Sequence, residues 1–246
     1  MKENNQIQTL LNFFKVKQLW DVTSAHTVNN QKRLNSFLNS DEIIMIEGDI
    51  SVSNEEKIII MAHPPNIVSD LTFEDWIHQI IDSKKGAKLD FKKPEIVTNV
   101  LVKLKELDPQ IPIFLNADIL QGPEGDSPVF TAPVFIEECL KYYPSGILSL
   151  GWTTKHTPEG KYTGSMIREM IDIIKSVNDK KALTVCIRVC YLKHIPQMFF
   201  NVFKQNPNTF ITLWNAKKDP PLPNDLKKWI ERHVGLDRVF CDLIDL

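Results

Sequence analysis

The chain has 246 residues, 43% of them apolar and 24% charged, an ordinary globular composition at a length that can bury a sizeable core. With 29 basic against 31 acidic side chains and a net charge of −2, no basic stripe is present to grip a phosphate backbone, which argues against a nucleic-acid polymer as partner. No apolar run approaches the ~20 residues of a membrane helix and no signal-peptide pattern is seen, and Cys139, Cys186, Cys190 and Cys241 lack CxxC spacing, so a cytoplasmic protein with reduced, mostly buried thiols is expected.

After a lead-in segment over residues 1–17, short β-rich runs alternate with helical periodicity. Strands are predicted at Leu19–Thr23, Ile43–Asp49, Ala87–Phe91, Ile111–Ala117, Gly146–Gly151, Leu183–Val189, Thr209–Trp214 and Arg238–Leu243. Helices are predicted between them at Gln31–Leu38, Phe73–Ser83, Glu95–Leu107, Ala132–Tyr142, Ser165–Val177, Ile195–Lys204 and Asp225–His233. In Glu95–Leu107 the residues Ile96, Val97, Val100, Leu101, Leu104 and Leu107 recur at helical spacing, with Pro94 suited to the first turn. Eight strands, each but the last followed by a helix, predict an α/β fold, a single-domain (β/α)8 TIM barrel over residues 1–246. No glycine-rich turn after a strand suggests a dinucleotide site. The run Ile58–Ala62, reached through the polar turn Ser53–Glu56, breaks the alternation and reads as an insertion that carries His63 to the barrel mouth. The Gly- and Pro-rich loops Leu120–Thr131 and Trp152–Tyr162 follow strands, on the side where barrels carry function.

Most of the predicted strands end in polar residues. The first leads to His26, the second ends in Glu47 and Asp49, and the third carries Lys88, Asp90 and Lys92. Asn116 and Asp118 end the fourth, Trp152 follows the fifth, Arg188 lies in the sixth, Trp214 ends the seventh and Asp242 lies in the eighth. Side chains alternate along a strand, so Glu47 and Asp49 share one face, as do Lys88, Asp90 and Lys92. Carboxylates converging at one point need a cation among them. Oxygen donors favour a divalent ion such as Mg²⁺ or Ca²⁺, while His26 and His63 leave zinc or manganese open. The alternative is that Glu47 and Asp49 simply pair with Lys88, Lys92 or Arg188. His26 and His63 read either as general acid and base or as surface residues. His78, His194 and His233 fall on helical patterns and read as structural, and His156 lies in a loop that can reach a ligand. Trp152 and Trp214 serve either as core or as a flat wall for substrate, whereas Trp20, Trp76 and Trp229 read as core.

Blocks of residues also resemble a known family. Trp20, His26-Thr-Val-Asn29, Ile46-Glu-Gly-Asp-Ile50, Met61-Ala-His-Pro-Pro65, Ser69-Asp-Leu-Thr72, Lys88-Leu-Asp-Phe-Lys92, Leu115-Asn-Ala-Asp118, Leu148-Ser-Leu-Gly-Trp152 and Thr212-Leu-Trp214 occur in the order seen in the menorin family, from about Trp20 to the C-terminus. The resemblance implies the phospholipase-C-like phosphodiesterase superfamily, whose (β/α)8 barrels include glycerophosphodiester phosphodiesterases and sphingomyelinase D. It implies His26 and His63 as acid and base, Glu47, Asp49 and Asp90 as ligands of a divalent cation, and Lys92 at a position where sphingomyelinase D also keeps a lysine. Two departures stand out: glycerophosphodiesterases carry His-Arg-Gly and His-Asp where this chain has His26-Thr27-Val28 and His63-Pro64. With that arginine missing, Arg188 and Lys88 are the candidates to replace it.

The expectation is therefore a metal-dependent phosphodiesterase acting on a phospholipid- or nucleotide-derived diester. Lys88, Lys92, Asn116, Arg188, Trp152 and Trp214 are expected to contact substrate. An inactive barrel that binds a protein or ligand at its mouth is the alternative. A glycosidase using Glu47 and Asp118 would suit the fold but leaves both histidines without a role.

Overall fold

The computed structural model describes residues 6–54, 57–155, 159–177 and 181–243. In chain order the elements are α1 (Gln6–Phe14), β1 (Ser24–Ala25), α2 (Gln31–Leu38), β2 (Met45–Val52), β3 (Ile59–Met61), α3 (Phe73–Ser83), β4 (Gly86–Phe91) and α4 (Val97–Leu107). They continue with β5 (Ile113–Gln121), α5 (Ala132–Tyr142), β6 (Ile147–Thr153), α6 (Gly164–Ser176), β7 (Leu183–Arg188), α7 (Gln197–Gln205), β8 (Thr209–Trp214), α8 (Leu226–His233) and β9 (Val239–Asp242). The sheet runs β1-β2-β4-β5-β6-β7-β8-β9, in chain order with a helix after each strand but the last, and β3 pairs beside β2. This is the (β/α)8 barrel topology. No described helix is long and apolar enough to cross a membrane.

The chain divides into two compact units. One comprises Thr23–Ala117 and Val129–Leu148. In it, α3 begins where the Thr72 hydroxyl accepts from the Asp75 N–H at 3.1 Å, with Glu74 and Asp75 favourably placed against the helix dipole. It buries Phe73, Trp76, Ile77 and Ile80, and stops at Lys84, whose φ of 57° is left-handed. The predicted Glu95–Leu107 helix begins as a tight turn at Pro94–Ile96 before α4, which buries Val97, Val100, Leu101 and Leu104. The other unit holds the described residues of 6–22, 118–128 and 149–243, with β7, β8 and β9 side by side.

The first strand is not where periodicity places it. Leu19–Asp21 is a 3₁₀ turn, and the paired strand is Ser24–Ala25, in register with Met45 and Ile46. Leu19 and Val22 are both fully buried, and a spacing of three aligns them in a 3₁₀ turn, whereas a strand would put them on opposite faces. The inserted run does form a strand. β3 lies antiparallel to β2, which is thereby drawn out to Val52, and the Ala62 N–H donates to the Asp49 carbonyl at 2.9 Å. His63, the next residue, is thus carried to the end of β2 that bears Asp49.

Candidate metal centre

The site is built on β2 and β4, in register and parallel. Glu47 pairs with Lys88, Asp49 with Asp90, and Asp90 with Asn116 of β5. Partner residues on parallel strands point to the same face, so Asp49, Asp90 and Asn116 form one row and Glu47 and Lys88 the row before it. Carboxylate oxygens of Glu47, Asp49 and Asp90 lie within 4.8 Å of one another, with Glu47 and Asp49 buried and Asp90 half-buried. Between the two carboxylates comes Gly48, on the opposite face. A Cβ there would meet Met61 Cε at 2.6 Å, with the Trp76 ring and the Val28 carbonyl oxygen each at 3.2 Å, so only glycine lets this backing close up.

The loop after β1 supplies the next layer. Thr27 takes a left-handed φ of 56°, and its N–H donates to Glu47 Oε2 at 2.6 Å. His26 Nδ1 lies 3.0 Å from the same oxygen. A neutral imidazole that donates Nδ1–H to Glu47 keeps its lone pair on Nε2, the atom a general base needs. Asn29 grips Asp49 from two sides, donating Nδ2–H to Oδ2 at 2.6 Å and accepting the Asp49 backbone N–H on Oδ1 at 2.8 Å. The loop itself is pinned from behind by Trp76, whose indole N–H donates to the Val28 carbonyl at 3.0 Å. It is held from the side by the Ser69 hydroxyl, which donates to the Asn29 carbonyl at 2.9 Å.

Lys92 bridges the acids, its Nζ 3.0 Å from Asp49 Oδ1 and 2.6 Å from Asp90 Oδ2. Burial pushes the Asp49 carboxyl up, but Lys92, the Asn29 amide and the nearby charge of His63 outweigh it and hold Asp49 below the ordinary carboxylate range. His63 is exposed, with Nδ1 2.6 Å from the Pro64 carbonyl oxygen, and it lines a cavity of about 540 Å³ together with Asn29 and Ser69. Glu47, Asp49 and Asp90 together offer only hard carboxylate oxygens at this point. Hard oxygen donors are what a divalent cation such as Mg²⁺ or Ca²⁺ requires, so the donor set fits one.

Of the expected substrate contacts, Arg188, Trp152 and Trp214 belong to the other unit. Arg188, 1% exposed, donates from Nε to Asp219 Oδ2 at 2.9 Å and from Nη2 to Asp219 Oδ1. Its Nη1 donates to the Lys155 carbonyl at 2.6 Å and the Tyr191 hydroxyl at 3.0 Å. The guanidinium also lies over the ring of Trp214, 5.5 Å from its centroid. Trp152 is buried against Tyr162, ring centroids 4.6 Å apart. Of the remaining histidines, His78 and His194 are exposed, His233 stacks on Trp229 at 4.3 Å, and His156 lies outside the described residues. Sequence reasoning did not single out Asn29, Ser69 or Asp219 as individual contributors. Asn29 is the last residue of the His26-Thr-Val-Asn29 block, the one signal that could have found it.

Residues 18–245 match the family model described as the Menorin N-terminal domain. The chain is 31% identical over 233 residues to human Protein FAM151B, covering 92% of this chain and 83% of that protein. Among solved structures, a Galdieria sulphuraria protein described as a candidate glycerophosphodiester phosphodiesterase superposes with a TM-score of 0.57 at 13% identity, covering 92% of this chain and 94% of that one. A candidate α-L-fucosidase from Bacteroides thetaiotaomicron gives 0.52 at 9% identity, covering 91% and 87%. These two likenesses concern the barrel alone. With a family model matched over nearly its whole length and a relative at this identity, the chain belongs to the menorin family.

Proposed function

We propose that the chain is a metal-assisted phosphodiesterase of the hydrolase or lyase type, with Glu47, Asp49 and Asp90 as cation ligands and His26 and His63 as the proton-transfer pair. The observation that carries this reading is the junction at Glu47, which belongs to the carboxylate cluster and also lies 3.0 Å from His26 Nδ1. Ion site and proton acceptor are thus coupled through one side chain. The likeness to a barrel described as a candidate glycerophosphodiester phosphodiesterase agrees with it.

In this mechanism a hydroxyl of the substrate gives its proton to His26 Nε2, and the imidazolium so formed is stabilised by Glu47. The hydroxyl oxygen bonds to phosphorus as the bond from phosphorus to the leaving oxygen breaks. His63 gives a proton to that oxygen, and the products are a cyclic phosphate and an alcohol. Lys92 and Lys88 place positive charge beside the phosphate, Asn116 orients it from the row of Asp49 and Asp90, and Asn29 keeps Asp49 ionised and in place. A bound divalent cation would supply further charge for the phosphate oxygens.

A phosphodiester panel assayed with Mg²⁺ or Ca²⁺, with phosphorus NMR to detect cyclic phosphate, tests the reading. Turnover lost in Glu47→Gln is expected; no turnover above that variant would reject it. The second reading, a barrel that binds a ligand or protein without catalysis, draws on the Lys92 bridge, which already pairs Asp49 with Asp90. Divalent binding without turnover of any diester would favour it.

A further inference from the structure

Between β8 and α8 the chain runs Lys217-Lys-Asp-Pro-Pro-Leu-Pro223. From Asp219 to Pro223 every residue is a proline, precedes one, or does both, so φ is fixed at the prolines and the helical region is disfavoured for the residues before them. Backbone sterics alone thus favour an extended polyproline strand with three residues per turn. In such a strand positions 219 and 222 lie on one edge, 220 and 223 on the second, and 221 on the third.

The first edge anchors the segment. The Asp219 side chain, 2% exposed, accepts from Arg188 Nε at 2.9 Å, from Arg188 Nη2, and from the Ala216 N–H at 2.9 Å. Leu222, three residues on, is half-buried and lines a cavity of about 500 Å³ with Leu226 and Trp229. The ends are tied as well, the Asp219 N–H donating to the Ala216 carbonyl at 2.9 Å and the Leu226 N–H to the Pro223 carbonyl at 3.0 Å. The other two edges carry only proline, and Pro220, Pro221 and Pro223 are all exposed. A polyproline strand held in this way has little conformational entropy left to lose, and grooves lined with aromatic rings are what bind such strands. Only Pro220-Pro221 is an X-Pro pair with both members exposed, since Asp219 and Leu222 occupy the anchored edge. A groove of the SH3 type, which takes two X-Pro pairs three residues apart, is therefore denied its second pair, whereas a single slot between two rings, as in WW domains, is satisfied. Lys217 and Lys218, exposed beside the prolines, complement acidic groups next to that slot.

We propose that Pro220-Pro221 is the docking site for a partner domain of the WW type, which clamps the two prolines between a tryptophan and a tyrosine ring and faces Lys217 and Lys218 with carboxylates. This site is independent of the carboxylate centre and of what that centre does.

The test is calorimetry of the full chain against a panel of isolated WW and SH3 domains, with amide shift mapping of the chain in each complex found. Saturable binding of a WW domain is expected, with shifts concentrated over residues 217–224. The double variant Pro220→Ala, Pro221→Ala should weaken it about tenfold or more with melting temperature unchanged, while Pro144→Ala, at an exposed proline of the other unit, should leave it as in the parent. Lys217→Glu with Lys218→Glu should weaken it at low salt and less so at high salt. The shift map needs no variant, so it decides the matter even where the alanine pair disturbs the strap. Absence of binding across the WW panel would overturn the proposal, as would binding undiminished in the proline variant or shifts that lie away from the segment. Binding of SH3 domains alone would overturn it too, because it would require Asp219 to leave Arg188. Affinity indifferent to the charge reversal at every salt concentration would overturn the acidic character assigned to the partner.

Discussion

Asn29 and Asp49 are joined by two hydrogen bonds in opposite senses, one from the Asn29 side-chain amide to the carboxylate and one from the Asp49 backbone N–H to Asn29 Oδ1. A carboxylate held in this way is both ionised and oriented. Asn29→Ala removes both bonds and leaves a buried N–H and a buried carboxylate oxygen short of a partner. The expected loss is about 2–3 kcal/mol of stability, seen as a lower melting temperature, together with weaker binding of Mg²⁺ or Ca²⁺ by calorimetry. Unchanged metal affinity would show that Asp49 is not oriented by Asn29.

Asp49 also gives an acid dependence of defined sign. Its folded-state carboxyl is held below the ordinary value of ~3.9, so the unfolded chain takes up a proton first as pH falls. Its stabilising contribution is therefore complete above about pH 5 and is lost as pH drops through the ordinary value towards the lowered one. Asp49→Asn should flatten the fall in melting temperature over that acid range. The same fall in wild type and variant would assign acid sensitivity to other groups.

The two histidines separate catalysis from ligation. If His26 and His63 transfer protons, His26→Asn and His63→Asn should each lower turnover by ~10²–10⁴-fold while metal affinity stays near that of the parent protein. The double variant should lose little more than either single one, because both serve one reaction step. Parallel loss of metal affinity and turnover would make them ligands, and normal turnover in both would refute their role in proton transfer.

Gly48→Ala tests the backing of the site. The added methyl would press on Met61, which can move, and on the Trp76 ring and Val28 carbonyl oxygen, which are tied to each other by a hydrogen bond. Overpacking of this kind costs about 1–3 kcal/mol. A lower melting temperature with reduced metal affinity is expected, since Val28 lies in the loop that presents His26 and Asn29. A neutral melting temperature would show that the backing yields.

Arg188→Met should be the most destabilising of these changes. It removes the buried cation that faces the Asp219 carboxylate, and breaking a buried pair from one side costs about 3–5 kcal/mol. Arg188→Lys keeps the charge but not the paired N–H donors, and should recover part of that loss. Thermal melts of the two variants check both statements. Equal stability of Met and parent would remove the Asp219 pairing from the architecture.

The alternation of strand and helix, the shared face of Glu47 and Asp49, and the insertion that delivers His63 were all legible in the sequence. Each depends on spacing within a few residues, and periodicities of two and 3.6 are local properties of the chain. The first strand lies later than expected because a run as short as Leu19–Thr23 is too brief for periodicity to separate strand from turn. What no local pattern encodes is which groups close across sequence distance. Asn29 reaches Asp49 over 20 residues, and Asp219 reaches Arg188 over 31. The sequence alone determined that the carboxylates on β2 point together. Only the tertiary structure decided that Lys92 bridges Asp49 to Asp90, that Glu47 serves His26 as well as the acidic cluster, and that Arg188 is bound to Asp219. The physical reason is that a buried charge takes the partner that strand register and loop closure bring within about 3 Å, and those are set by the packed chain.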